Sequence, residues 1–98
     1  MNRGVKKGTR MVYWSYELGL RNFTWLSSLS KWIGRGGMDK KEIKRFLSEF
    51  NVSDFPQYDI ISVKIVRHKR VGTTMTWTDE VIGYTDVTPQ GFLYPIEF

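Results

Sequence analysis

Residues 58–69 read YDIISVKIVRHK, and their alternation decides the fold. Ile61, Val63 and Ile65 fall on one side of an extended chain and Ser62 and Lys64 on the other, the period of two that marks a half-buried strand. The stretch then runs into four consecutive cationic or titratable residues, Arg67, His68, Lys69 and Arg70. Parity places Arg67 and Lys69 on the inner face and His68 and Arg70 on the outer one. Burying unpaired cations is costly. The strand is therefore expected to outrun the core before Arg67, carrying its tip about 13 Å further at ~3.3 Å per residue.

Downstream, TMTWTDEVIGYT (74–85) and GFLYPIEF (91–98) read as two more extended segments, separated by the turn signals VGT and TPQG. Short connections between successive strands predict an antiparallel meander. Pro95 confines the last strand to an edge or an irregular path. Pairing Ile65 with Val81 would set Arg67 opposite Asp79 and Lys69 opposite Trp77, a salt bridge and a cation–π contact. The same register leaves His68 and Arg70 outward, opposite Thr78 and Thr76.

Upstream, MVYWSYEL (11–18) alternates Val12, Trp14, Tyr16 and Leu18 with Met11, Tyr13, Ser15 and Glu17, predicting a first strand that ends near Gly19. In NFTWLSSLSKWIGRGG (22–37) the residues Trp25, Leu26, Leu29, Trp32 and Ile33 recur at helical spacing between a capping Asn22 and a stopping Gly34. This predicts a helix over Phe23–Ile33 with Trp25 and Trp32 in the core. A second helix begins at a capping box of Asp39 and Glu42. It presents Ile43, Phe46, Leu47 and Phe50 as an apolar stripe and ends at Asn51.

The predicted order is strand, helix, helix, strand, strand, strand. This is an α+β fold with two helices on one face of a mainly antiparallel sheet. Residues 1–9 form a flexible basic arm and residues 10–98 a single α+β domain, because 98 residues build one modest core.

Charge divides unevenly along the chain. Residues 1–70 hold all 15 Lys and Arg against six acids, and residues 71–98 hold four acids and no Lys or Arg. A basic face attracts nucleic acid, anionic membrane or an acidic protein, unless folding brings the acidic tail beside the basic segment. No apolar run approaches the ~20 residues of a membrane span, and no apolar signal core follows the basic start. The expected location is cytoplasmic. The sequons at Asn22 and Asn51 are then chance occurrences.

With one His and no Cys, a zinc site is excluded by donor count, and no cofactor is expected. The serines lie in no nucleophile elbow, and the only histidine sits in a cationic run that does not prepare it as a base. An enzyme is therefore not expected. The Gly34–Gly37 stretch matches no phosphate-cradle fingerprint. A helix-turn-helix is disfavoured because the second helix offers cations rather than base-reading amides.

The leading expectation is a non-enzymatic binding protein that contacts nucleic acid, or a complex containing it, with low sequence specificity. The contacts would be Lys40, Lys41, Lys44 and Arg45 on the helix, Arg67, His68, Lys69 and Arg70 at the hairpin tip, and Arg3, Lys6, Lys7 and Arg10 in the arm. Strand parity makes Tyr13 and Trp77 the candidate exposed aromatic contacts. The alternative is an inhibitor or adaptor that docks on a larger protein through exposed aromatics with charge steering. The sheet edge and the aromatic face are the surfaces that would admit a homo-oligomer.

Overall fold

A computed structural model describes residues 12–27, 38–71 and 76–98. Four strands, β1 (Val12–Leu20), β2 (Trp25–Ser27), β3 (Ile60–Arg70) and β4 (Trp77–Asp86), form one antiparallel sheet in the order β2-β1-β3-β4. A single helix among the described residues, α1 (Lys40–Glu49), packs on one face, and a 3-10 turn (Val52–Asp54) follows it. The arrangement is α+β.

The sheet register sorts the side chains. Tyr16 faces Ile65 and Leu18 faces Val63, so these residues share the core face with Trp14. Ile43 from α1 closes on them, and Ile43, Val63 and Ile65 are fully buried. Each such side chain contributes about 1.5–3 kcal/mol relative to exposure. Phe46 stacks on Tyr16 with centroids 3.8 Å apart and meets Phe50 edge-on. The predicted capping box forms as read, Asp39 Oδ1 accepting from Glu42 N at 2.8 Å and Glu42 Oε1 from Asp39 N at 2.9 Å.

Two predicted elements are corrected. Residues 25–27 are strand rather than helix: they pair with Gly19, Leu18 and Glu17 along the otherwise open edge of β1, whose backbone amides and carbonyls need partners. Trp25 thereby leaves the core and is 38% exposed. The rest of that predicted helix, with Leu29, Trp32 and Ile33, lies outside the described residues, as do the 34–37 glycines and the arm of Arg3, Lys6, Lys7 and Arg10.

Residues 91–98 are not a strand. They touch the sheet through a Val87–Leu93 bridge and the Tyr94 amide, which donates to Asp86 O at 3.1 Å. Pro95 next in line has no N–H with which to extend a ladder. The segment instead runs on the helix side of the sheet. Ile96 Cδ1 lies 2.8 Å from where a Cβ on Gly83 would stand, and the Phe98 ring sits 5.4 Å from Trp14. No helix among the described residues is long and apolar enough to cross a membrane.

Candidate functional site

The hairpin of β3 and β4 brings the basic run against the acidic tail, in a register other than the expected one. Ile65 faces Gly83, the register slips, and Val66 faces Val81, leaving Ile82 as an extra residue in β4. The bulge keeps Ile82 packed toward the core. It also reassigns every partner beyond it: Arg67 faces Glu80, His68 faces Asp79, Lys69 faces Thr78 and Arg70 faces Trp77. β1 accompanies the hairpin as far as Lys69, which faces Val12. The cluster is consequently part of a three-stranded sheet and not a finger standing clear of the core.

Arg67 forms its ion pair with Glu80 rather than Asp79, and its guanidinium carbon lies 5.8 Å from the Trp14 ring centroid. Inner-face parity for Arg67 thus holds, with Trp14 supplying the aromatic contact expected between Lys69 and Trp77. His68 is the larger correction. Far from pointing into solvent, it is 7% exposed on the face opposite α1. Its Nδ1 is 2.7 Å from Asp79 Oδ1 and its Nε2 is 2.7 Å from Ser15 Oγ. With the proton on Nδ1, the ring donates to the carboxylate and accepts from the hydroxyl.

Hydroxyl, imidazole and carboxylate in this sequence are the groups of a serine-hydrolase triad. Accessibility runs the wrong way for that chemistry. The Ser15 residue is 2% exposed, whereas the Asp79 side chain is 66% exposed. A nucleophile must meet a substrate carbonyl, and here the carboxylate end is the open one. The geometry instead satisfies two buried polar side chains in the middle of a sheet. Among the described residues, no three His, Cys, Asp or Glu side chains cluster to hold a metal ion.

The helix cations are in a different situation. Lys40, Lys41, Lys44 and Arg45 are all exposed, and none of them has a carboxylate ion-pair partner among the described residues. At 100° per residue their spacing makes one face about one and a half turns long, opposite the stripe that buries Ile43. Lys40 and Lys44 hold their ammonium groups 6.0 and 5.5 Å from the Phe98 ring centroid. Other cations are matched: Lys64 Nζ lies 3.3 Å from Glu17, and Arg21 Nε lies 2.7 Å from Asp59. The Asp59 hydrogen bond, with its charge, holds the Arg21 guanidinium above its ordinary pKa.

The aromatics are redistributed too. Tyr13 and Trp77 meet with their rings tilted, centroids 5.3 Å apart, and are half-buried. Other rings are exposed, among them Phe23 (91%), Tyr84 (58%) and Trp25 (38%). Trp25 reaches from β2 over Gly19, where a Cβ would stand 2.8 Å from the indole, to meet Tyr84 of β4 at 5.8 Å. Lys64 caps the same indole at 4.5 Å. Period-two reading of residues 25–27 would have signalled this cluster, had the helical spacing of the longer segment not outweighed it. No known protein family, curated protein or solved structure matches the chain.

Proposed function

We propose that this chain is a small, non-enzymatic binding protein that contacts nucleic acid through phosphates along the exposed face of α1, with low sequence specificity. The observation that supports this reading is the set of four helix cations, Lys40, Lys41, Lys44 and Arg45, exposed and lacking an ion pair among the described residues. Their Cα atoms span about 7.5 Å along the helix axis at 1.5 Å per residue, so they face a short run of phosphates rather than a base edge. Lys69, also exposed, is the hairpin residue best placed to add to them. Arg67 and His68, which already face carboxylates, contribute little.

The test is fluorescence anisotropy of labelled single- and double-stranded DNA and RNA across a salt series. With three or four phosphate contacts, log Kd should rise with log salt at a slope of roughly 2 to 4. Replacing Lys40, Lys41, Lys44 and Arg45 by Ala should abolish most of that slope. No binding to any of these probes at low salt would sink the reading.

The second reading, a protein-binding adaptor or inhibitor, is favoured by the Phe23, Trp25 and Tyr84 rings. They are exposed beside cations that acids already occupy, as suits a protein surface better than a polyanion.

A further inference from the structure

Phe23 is the least settled residue of the described chain. Its backbone has φ +67°, a left-handed conformation, and its ring is 91% exposed. The β1–β2 turn imposes the first: Phe23 N donates to Leu20 O at 2.9 Å and Leu20 N to Thr24 O at 2.9 Å. A glycine would take that position without strain. Asn22 Oδ1 accepts from Thr24 N, and the Arg21–Asp59 pair braces the loop, so the ring is held outward by a built turn. Strain of this kind together with an exposed aromatic ring points to a contact outside the monomer.

Phe23 continues into Trp25 and Tyr84, an apolar patch on the face opposite α1. Its charged neighbours are Arg21 and Lys64 against Glu17, Asp59 and Asp86. With Arg21 and Lys64 both paired to acids, the patch keeps one acid in excess, Asp86, exposed on β4. On the other side of the sheet, α1 and the 92–98 segment border an open groove of about 850 Å³, lined by Leu47, Phe92, Leu93, Ile96 and Phe98, with Lys44 at its rim. The one carboxylate lining it, Glu97, is set against two lysines, Lys44 and, beside the Phe98 ring, Lys40. An acid-rimmed apolar tip and a cation-rimmed apolar groove are complementary in chemistry.

We infer that the partner of the Phe23 tip is a second copy of this chain, the ring of one molecule entering the α1 groove of the next. Because tip and groove lie on opposite sides of the sheet, the contact is heterologous and can repeat from copy to copy. This goes beyond nucleic-acid binding and is read without any nucleic acid present, so the two can fail separately.

Sedimentation velocity of the full chain over a concentration series at low salt should give a weight-average mass that climbs past the monomer. Phe23→Gly, which relieves the backbone and should raise the thermal midpoint, is expected to weaken association by about tenfold or more. Phe92→Glu, placing an acid in the groove, should do the same. An equimolar mixture of the two variants retains one good tip and one good groove and should recover a species of one pair that grows no further. A monomer at every concentration overturns the inference, as does assembly that survives Phe23→Gly or a mixture that stays monomeric.

Discussion

Two cationic clusters of equal apparent strength, Lys40–Arg45 and Arg67–Arg70, end in different electrostatic states. The strand cluster lies in a sheet, where each side chain has a cross-strand neighbour by construction, and β4 sets Glu80 against Arg67 and Asp79 against His68, with Lys69 and Arg70 facing Thr78 and Trp77. The helix cluster lies on the outer side of an element that meets its neighbours only through Ile43 and the stripe around it. A sheet distributes partners to its charges and a surface helix leaves them to solvent. The number of cations in a run is therefore a poor guide to its field, and its secondary structure a better one.

The largest expected effect breaks the helix side of this comparison without touching a charge. Ile43 is fully buried against the sheet, and Ile43→Ala should cost about 2–5 kcal/mol by urea denaturation, through lost transfer energy and the cavity left behind. Nucleic-acid affinity should fall with it, because the four cations keep their common face only while the helix is docked. Loss of stability with affinity intact at a temperature where the variant is still folded would show that the helix face works without its packing.

Next is the strand side. Removing His68 strands a Ser15 hydroxyl that is 2% exposed and leaves Asp79 unmatched, so His68→Ala should cost about 2 kcal/mol or more. Ser15→Ala, which removes the second hydrogen bond and leaves the first, should cost less. A double-mutant cycle between them should show coupling of roughly 0.5–3 kcal/mol. Additive losses would mean that the two groups do not act as a unit.

What could be read in advance follows the same division. The 58–69 alternation and the Asp39–Glu42 cap are local signals, and β3 and α1 formed where those signals placed them. Residues 25–27 and 91–98 depart from their local pattern because their state is decided by partners remote in sequence. The first became strand because β1 had an edge to fill, and the second left the sheet where Pro95 could not donate. The His68 contacts are hidden by the register of the hairpin and by one inserted residue within it. Ile65 faces Gly83 rather than Val81, and with Ile82 bulged the residue numbers facing across the hairpin change from an even to an odd sum, so His68 meets Asp79 where the unbulged register would set Glu80. No periodicity in either strand marks that insertion, because Ile82 is apolar and Val81 is too. The helix cations, in contrast, were placed by the capping box and the stripe alone.

A smaller effect tests the cap on which that placement depends. Asp39→Ala removes the acceptor for Glu42 N and should lower stability by about 1 kcal/mol. It should also loosen the first turn, which carries Lys40 and Lys41, and so weaken binding more than the stability change alone predicts. Binding that drops no further than stability does would assign the contact to Lys44 and Arg45.

The smallest effect is the most discriminating. Arg67 is bonded to Glu80, with side chains 39% and 60% exposed. An exposed pair of this kind couples by about 0–1 kcal/mol, so Arg67→Ala should barely move the denaturation midpoint. If Glu80 has taken its charge out of play, Arg67→Ala should also leave the salt slope of nucleic-acid binding unchanged, whereas Lys44→Ala lowers it by roughly 0.7–0.9. Glu80→Gln then becomes the informative variant. It releases Arg67, and the slope should steepen by up to one further contact, giving the hairpin the field that its sequence advertises and its fold suppresses. Equal slopes for the Arg67 and Lys44 variants would show instead that a cross-strand carboxylate does not silence a surface arginine here, and that the two clusters share the contact.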